Sequence, residues 1–330
     1  MDWFEALFGF REVGYDQTRE RLVLEGERLV SRVNGRSWSV GSLSIPSLGE
    51  LRAQVQAVSS TVEDSPTRVR LVQGDVAALH GVPANRGALF QVASQFNLLE
   101  MVGPYVSPLD GVTRYAQDFT QGPACALSAA AATVYRNYWV EVQGQPGQDD
   151  QRQINTLSDL AAALPGGSGV QMRNGYALVD TQSLQTLSSA IECADEPQRR
   201  AWMDLLRVGW HQDVECTSAA ALPGHQVNQV FCSALPIRYN ECQDWRLWEP
   251  FARLILDAAY EATLYAGVLQ KARGGSPSVY LTLLGGGAFG NNPTWIVDAI
   301  RRALSKVHAC GLDVAIVSYG PPSDEVAGLV

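Results

Sequence analysis

The sequence predicts an α/β fold with a mixed, largely parallel sheet sandwiched by helices. Five runs, at 69–76, 87–94, 227–236, 279–284 and 312–320, are predicted to be strands, and the apolar run at 279–284 has the composition of a strand buried on both faces. Helical stretches alternate with these runs, among them a long one over 248–269 and another over 295–307. The run at 279–284 leads directly into a glycine-rich turn, at 285–291, that precedes a helix. The strand, turn and helix together form the centre of the predicted fold.

The glycine-rich turn predicts a ligand that carries phosphate. Three consecutive glycines allow close approach to the main chain, and N–H groups at a helix N-terminus bind anions. No acidic partner for a ribose follows, as a dinucleotide fingerprint requires, and no Lys-Ser/Thr follows, as a P-loop requires. A tight turn without a ligand is the alternative interpretation.

The composition excludes several classes of protein. The chain has 330 residues, 46% of them hydrophobic, and its net charge of -9 argues against a non-specific nucleic-acid binder because it offers no basic stripe. No apolar run reaches the ~18 residues of a membrane span, and the N-terminus lacks the pattern of a signal peptide. We expect a cytoplasmic protein with neither nucleic acid nor membrane as partner.

The cysteines and histidines predict neither disulfides nor a metal site. The six cysteines are dispersed without a Cys-x-x-Cys pair, which is typical of a reduced compartment. His211 and His225 with Cys216 match no zinc spacing. We therefore predict no metal and no cofactor.

Two regions are predicted outside the core. Residues 1–66 form an N-terminal extension packed on the core, with a hairpin turn at Asn34-Gly35 and a helix from Leu48. Residues 67–330 form the core, with an insertion at about 141–225 that is rich in Gln, Gly and Asp at its start.

Four loops follow predicted strands or begin helices, at 74–76, 95–97, 120–123 and 285–291. Ligands of open α/β sheets bind outside the carboxyl ends of the strands. Small residues, amides and glycines at these loops therefore predict one shared cleft.

The order of these loops resembles that of a macrodomain, the ADP-ribose-binding fold. Gln73-Gly-Asp-Val, then a strand leading to Asn97, then Gly122 before an Ala-rich helix, is similar to its first half, and the 285–290 loop and the strand ending at Tyr319 are similar to its second. The similarity covers roughly 67–140 and 226–322. Gln95-Phe-Asn replaces the usual Asn-Ala-Ala-Asn, and Thr120-Gln-Gly-Pro replaces a triple-glycine loop, which resembles the MavL-like branch. That branch removes ADP-ribose from arginine side chains, including those of ubiquitin.

The resemblance implies a role for each matched position. Asp75 and the Val76 N–H would contact adenine, Tyr319 would stack near it, and Asn97 would bond the distal ribose beside Phe289. Gly122 and the glycine loop would hold the diphosphate. The full set of implied ligand-binding residues is Asp75, Val76, Gln95, Phe96, Asn97, Glu100, Thr120, Gln121, Gly122, Gly285, Gly286, Gly287, Ala288, Phe289, Gly290, Asn291 and Tyr319.

Carboxylates on the long helix are the candidate catalytic groups. Asp257 and Glu261 lie four residues apart and share one helix face, and paired carboxylates with separated pKa values can supply an acid and a base. The alternative is a solvated face neutralised by Arg253. Glu249 on the same helix is a further candidate, and Asp213 and Glu215 in the insertion are candidates for contact with a guanidinium.

Three functions remain open from the sequence. The first is a macrodomain-type hydrolase that releases mono-ADP-ribose from protein, with arginine as the linkage and ubiquitin as one candidate target. The second is a reader that binds ADP-ribose without hydrolysis. The third is a nucleotide-binding scaffold whose insertion docks a protein partner.

Overall fold

The computed structural model describes residues 1–58, 64–218 and 221–330. Small parts of the predicted N-terminal extension, 59–63, and of the predicted insertion, 219–220, lie outside the described residues. Within the described ranges, strands and helices alternate along the core as the sequence predicts.

The strands are β1 Leu22–Glu25, β2 Arg28–Ser31, β3 Ser37–Ser39, β4 Ser42–Ser44, β5 Arg68–Gln73, β6 Leu89–Ala93, β7 Glu141–Val142, β8 Gln145–Pro146, β9 Val170–Arg173, β10 Tyr176–Val179, β11 Gly209–Glu215, β12 Gln226–Cys232, β13 Ser278–Leu281 and β14 Asp313–Ser318. The helices are α1 Trp3–Phe8, α2 Tyr15–Glu20, α3 Leu48–Val58, α4 Val76–His80, α5 Gln121–Ser128, α6 Ala130–Tyr138, α7 Ser158–Ala163, α8 Thr181–Cys193, α9 Glu196–Met203, α10 Trp245–Ala272, α11 Pro293–Lys306 and α12 Asp324–Ala327.

A seven-stranded sheet has the order β4-β11-β12-β6-β13-β14-β5. The five strands from β12 to β5 are mutually parallel, whereas β11 pairs antiparallel with both β12 and β4. The sheet is therefore mixed and largely parallel, as predicted. All five parallel strands end at one edge, which places the loops that follow them side by side.

Side chains alternate between the two faces of the sheet. In β14, Val314 and Ile316 pack with the helices α3, α10 and α11, while Ala315 and Val317 pack with α4, α5 and α6 on the opposite face. A third apolar cluster joins α1, β1 and β2 to α6. The predicted core strands thus fill both faces of a buried sheet, and the N-terminal residues pack on the outside of it.

The Ala-rich helix predicted after Gly122 is in fact two helices, α5 and α6, which meet at Ala129. Thr217 forms hydrogen bonds with the last residue of α5 and the first residue of α6. Its N–H donates to the Ser128 carbonyl over 2.8 Å, and its hydroxyl accepts from the Ala130 N–H over 2.9 Å. Because Thr217 comes from the predicted insertion, the local sequence of the helix could not show the break.

The extension and the insertion each contribute to the main sheet. Ser42–Ser44 forms its edge strand β4, and Gly209–Glu215 forms β11 beside it. A search of the described residues found no helix with the length and apolar character needed to span a membrane.

Candidate functional site

A cavity of about 650 Å³ opens at the edge where the parallel strands end. Residues that follow β6, β12, β13 and β14 line it, together with the loop before α5 and with Ser323, Glu325 and Val326. The predicted ligand residues that line it are Gln95, Glu100, Thr120, Gln121, Gly122, Gly285, Gly286, Gly287, Ala288, Phe289 and Tyr319. Three of the four predicted loops, at 95–97, 120–123 and 285–291, therefore contribute to one cleft.

The glycine loop presents free N–H groups beside this cavity. The N–H groups of Gly287, Ala288 and Phe289 donate to no acceptor within the described protein. Gly285 has φ +74°, and a Cβ there would lie 2.4 Å from the Ala234 Cβ, so the turn requires glycine at that position. Three successive unpaired N–H groups form a concave site suited to a phosphate.

The N-terminus of α5 lines the same cavity. Within the described residues, its N-cap, Thr120, makes no side-chain cap hydrogen bond, and the first N–H groups of the helix, from Gln121 and Gly122, donate to no acceptor. A Cβ at Gly122 would lie 2.1 Å from the Ala93 carbonyl oxygen and 2.6 Å from Oε2 of Glu100. Glycine thus allows the helix to begin against β6, next to a carboxyl group. The helix dipole adds a second anion site to that of the glycine loop.

Glu100 is a buried acid in the wall of the cavity. It is 2% exposed, and its Oε1 has no hydrogen-bond partner within the described residues. Burial raises the pKa of Glu100 well above its usual value, and Asp118 raises it further, while Arg136 lowers it. The Glu100 N–H donates to the Tyr115 hydroxyl over 2.8 Å, which fixes its backbone. A carboxyl group whose pKa is raised keeps its proton to a higher pH, and in that form it can donate the proton to a substrate.

Three aromatic rings form one wall of the cavity. Phe289 lies 5.5 Å from Tyr176 and 5.8 Å from Tyr239 between ring centroids. Tyr176 belongs to β10 in the predicted insertion, and its hydroxyl donates to the Met101 carbonyl over 2.6 Å. The insertion therefore supplies part of the cavity, and Gln95 supports the same segment by accepting from the Met101 N–H over 2.7 Å.

The charged side chains of the cavity are all acidic. Glu100, Asp118 and Glu325 line it, and no Lys, Arg or His does so among the described residues. An anionic group bound there would depend on backbone N–H groups. A cationic group on the substrate would be favoured by the carboxyl groups of Asp118 and Glu325.

Several residues implied by the resemblance do not line the cavity. Asp75 caps α4, accepting from the Ala77 N–H over 2.8 Å, and Val76 is buried in that helix. Phe96 belongs to the apolar core, and the Asn97 amide donates to Gln153 of the insertion over 2.9 Å. These residues support the loops around the site.

Gly290 and Asn291, also implied as ligand residues, close the glycine loop. The Gly290 N–H donates to the Gly287 carbonyl, and the Asn291 side chain donates to the Leu235 carbonyl over 2.9 Å. Asn291 thereby ties the loop to the segment after β12.

The predicted catalytic carboxylates of α10 lie away from the cavity, each paired with an arginine. Arg52 of α3 contacts Glu261 through two bonds of 2.7 and 2.9 Å. Asp257 forms a salt bridge with Arg302 of α11 at 3.0 Å, and Glu249 forms one with Arg253 of the same helix at 2.8 Å. The i, i+4 spacing that suggested an acid–base pair instead serves helix packing, so the structure does not place these groups where catalysis would require them.

The two acidic residues of the insertion lie on β11, also outside the cavity. Glu215 accepts from the Ser39 N–H over 2.7 Å and so joins β11 to the N-terminal sheet. Asp213 has φ +56° beside an irregularity between His211 and Val214. The structure gives neither residue a position from which to contact a ligand in the cavity.

Asp118, Tyr176, Tyr239 and Glu325 line the cavity but were not among the predicted site residues. Asp118 stands two residues before Thr120, and this position next to a predicted ligand loop is a sequence signal that could have been used. Its neighbour Phe119 also lines the cavity and is 97% exposed. The tyrosines come from the insertion and from the segment after β12, where nothing in the local pattern marks them. Within the described ranges, no group of His, Cys, Asp and Glu side chains is arranged to hold a metal ion.

A scan against models of known families finds no match, and neither does a search of curated proteins. Among solved structures, a variant of poly(ADP-ribose) glycohydrolase from Deinococcus radiodurans, in complex with ADP-ribose, superposes with a TM-score of 0.51 at 9% identity, covering 87% of this chain and 92% of that chain. The same enzyme from Thermomonospora curvata gives 0.44 at 12% identity, covering 94% of each chain. The first superposition, together with the sheet order and the flanking helices, shows that this chain has a macrodomain-like α/β fold of the kind seen in poly(ADP-ribose) glycohydrolase.

Proposed function

We propose that the protein is a hydrolase that releases ADP-ribose from modified protein side chains. The observation that carries the proposal is Glu100, a buried carboxyl group with an unpaired oxygen in a cavity that also presents two sets of free N–H groups. The Deinococcus radiodurans structure with which this fold superposes holds ADP-ribose, which supports the choice of ligand.

The diphosphate of ADP-ribose would lie between the glycine loop and the N-terminus of α5. The free N–H groups of Gly287, Ala288 and Phe289 would donate hydrogen bonds to the dianionic diphosphate. Those of Gln121 and Gly122 would add further donors. The distal ribose would then lie at the end of the cavity formed by Glu100 and the aromatic wall of Tyr176, Tyr239 and Phe289. This position would bring the anomeric carbon to the buried acid.

Glu100 would act as the general acid of the reaction. The bond from the anomeric carbon to the side-chain nitrogen or oxygen breaks, the electron pair stays on the leaving atom, and the Glu100 proton is transferred to it. A water then adds to the anomeric carbon, and its proton returns to the solvent or to Asp118. Because the protonated form of Glu100 is required, activity should fall as the pH rises through the raised pKa of this group.

Arginine is the linkage that we propose, with ubiquitin as one candidate target. The carboxyl group of Asp118, at the same end of the cavity as Glu100, would favour a cationic guanidinium over a neutral or anionic leaving group. The similarity of residues 93–100 and 118–123 to the MavL-like branch supports the same choice.

The test is release of ADP-ribose from a peptide mono-ADP-ribosylated on arginine, followed by chromatography. We expect Glu100→Gln to lower turnover on the order of 10²–10⁴-fold, the usual contribution of a general acid, while leaving ADP-ribose affinity within a few-fold. Glu192→Gln, an exposed change on α8, is the matched control and should be as active as the wild type.

Each other outcome has a definite meaning. Release from glutamate or serine linkages alone would contradict the arginine assignment. Binding of ADP-ribose without release from any linkage would make the protein a reader. AMP binding as tight as ADP-ribose would favour the scaffold function. Loss of activity in Asp257→Asn, Glu261→Gln or Glu249→Gln, but not in Glu100→Gln, would return catalysis to α10.

A further inference from the structure

Arg136 of α6 is a fully buried arginine that contacts the loop after β6. Its Nε–H donates to the Leu98 carbonyl over 3.1 Å. Its other two nitrogens donate to the Thr133 hydroxyl over 2.9 Å and to Nδ1 of His211 over 3.2 Å. Burial and the nearby guanidinium lower the pKa of His211 well below its usual value, so all three partners are uncharged. Burying a charge among uncharged partners is destabilising, which points to a role for Arg136 beyond packing.

Leu98, whose carbonyl accepts from Arg136, has a strained backbone. Its φ of +63° lies in the left-handed region, which a residue with a Cβ adopts only where neighbouring contacts enforce it. The Gln148 amide adds to these contacts by donating to the carbonyls of Asn97 and Arg136, over 3.1 and 3.0 Å. Arg136 therefore helps to fix a left-handed residue that stands two positions before Glu100.

The direction of the Glu100 carboxyl group depends on this backbone. Its Oε1 has no hydrogen-bond partner within the described residues, so no such bond orients that oxygen. The backbone is fixed on one side by the bond from the Glu100 N–H to the Tyr115 hydroxyl and on the other by the left-handed Leu98. A change in the backbone at Leu98 would therefore turn the acid away from its place in the cavity.

We propose that Arg136 is a positioning residue for the general acid: it holds Leu98 in the conformation that directs the Glu100 carboxyl group into the cavity, and it supplies the buried positive charge that faces this group. The inference rests on the proposed function, since it requires Glu100 to act as the acid. Arg136 does not line the cavity, so it would act on the reaction only through Glu100.

The charge of Arg136 acts on the pH range in which Glu100 keeps its proton. Burial raises the pKa of Glu100, and of the two charged groups that act on it, Arg136 lowers the pKa whereas Asp118 raises it. Without the guanidinium, Glu100 would keep its proton to a still higher pH. The other titratable groups that face it have pKa values raised by burial and stay uncharged near neutral pH; they are Tyr115, Cys125 of α5 and Tyr176 of β10.

Two substitutions separate the hydrogen bond to Leu98 from the charge. Arg136→Gln and Arg136→Met both remove the charge. The amide nitrogen of Gln stands as many bonds from Cα as the Nε of Arg and can donate to the same carbonyl, whereas Met has no donor. In both variants, the pH at which kcat for ADP-ribose release falls on the alkaline side should rise by about one unit.

The two variants should differ in turnover. At its own pH optimum, Arg136→Met should have a kcat lower on the order of 10²-fold, the effect of a displacement of about 1 Å. Arg136→Gln should lose much less. The affinity for ADP-ribose, measured by calorimetry on the full chain, should stay within a few-fold for both, because the diphosphate donors lie on other elements. Arg32→Met, at an exposed position directly after β2, is the control and should match the wild type in kcat and in pH profile.

Circular dichroism first establishes that each variant is folded. An unmoved alkaline limb in the folded variants, or wild-type kcat in Arg136→Met, would overturn the assignment of Arg136 while leaving Glu100 as the acid. Equal losses of kcat in the two variants would overturn the role of the bond to Leu98. If Arg136→Met does not fold, the pH profile of Arg136→Gln decides alone. If the wild type releases no ADP-ribose from any linkage, the proposed function fails and this inference fails with it.

Discussion

Asp257 on α10 is a buried carboxyl group whose titration should affect stability. Burial raises its pKa from 3.8 to about 6, against the opposing effect of Arg302, and its Oδ1 has no partner within the described residues. Between these two pH values the folded state binds more protons than the unfolded state, so the free energy of unfolding falls as the pH rises. Over that interval the loss should be roughly 3 kcal/mol.

Urea unfolding of the wild type and of Asp257→Asn at pH 4, 5, 6 and 7 measures this effect. Asn cannot titrate, so the variant should lack Asp257's share of the decline between pH 4 and 6. Parallel stability curves for the two proteins would show that Asp257 has an ordinary pKa in the folded protein.

A substitution at Gly287 tests whether the glycine loop binds phosphate. A Cβ at this position meets no atom within 4 Å, and its φ is not left-handed. Gly287→Val should therefore leave the free energy of unfolding within about 0.5 kcal/mol of the wild type. A side chain there would keep a phosphate from the loop N–H groups, so ADP-ribose affinity should fall by roughly 10- to 100-fold, the value of one charge-assisted hydrogen bond.

Gly14→Val is the control for that substitution. Gly14 also has open space around its Cβ, and its φ of -55° and ψ of 150° suit a β-branched residue. It lies far from the cavity in the chain and does not line it. Normal ADP-ribose binding by Gly287→Val in calorimetry would make the glycine loop a structural turn, the alternative that the sequence left open.

Among single residues, those set by local backbone chemistry could be predicted, and those set by tertiary partners could not. The glycine loop follows β13, Glu100 follows β6, and Gly122 lies in the first turn of α5. Their positions relative to the strand ends could therefore be predicted from the sequence. Asp257 and Glu261 share a helix face in the sequence just as an acid–base pair would. Only the positions of Arg302 and Arg52, which come from α11 and α3, show that they are paired.

At the scale of elements, charge pairs join α10 to α3 and α11 at the margin of their apolar contact. Arg52 bridges Glu261 and Asp204, and the Arg52 and Glu261 side chains are 10% and 6% exposed. Glu261→Gln removes one charge from a mostly buried pair and leaves the Arg52 guanidinium with fewer acceptors. The free energy of unfolding should fall by about 2 kcal/mol.

Chemical denaturation of Glu261→Gln measures that loss, and the same protein assayed for ADP-ribose release should have wild-type turnover. The control is Glu50→Gln on α3, whose contact with Arg207 is long, at 3.5 Å, and exposed, so that its loss should have little effect. A stable Glu261→Gln with no activity would restore Glu261 to the catalytic site.

The core strands could be predicted because each is a strand-forming run that leads into turn or loop residues, and β5, β6, β12, β13 and β14 confirm all five runs. The partners of β4 and β11 could not be predicted. Strand β4 has three residues, and β11 pairs with it across a gap of more than 160 positions. A short edge strand has too few residues to show the alternation by which strands are predicted, and its pairing depends on contacts distant in the chain.

For the whole molecule, ligand binding should raise thermal stability. A ligand at 100 times its dissociation constant adds about 2.7 kcal/mol to the free energy of unfolding. For a chain of this length that corresponds to a rise in Tm of about 4 °C. Differential scanning fluorimetry with ADP-ribose should show this shift, and AMP at the same concentration should show a smaller one because it lacks the distal phosphate and ribose. No shift with millimolar ADP-ribose would contradict the proposed ligand.

Among the described strands, the edge strand β5 pairs with β14 alone, and its Arg70 contacts Asp313 at a separation of 243 positions in the chain. During synthesis, β5 leaves the ribosome early but has no neighbour until β14 has also emerged. The site edge, which needs β13 and β14 beside β6, cannot assemble before that moment. Folding of this chain should therefore be governed by a late, long-range closure of the sheet, which is the slow class of folding reaction. A nascent chain arrested before β14 would expose an unpaired strand edge, and such an edge is a template for aggregation.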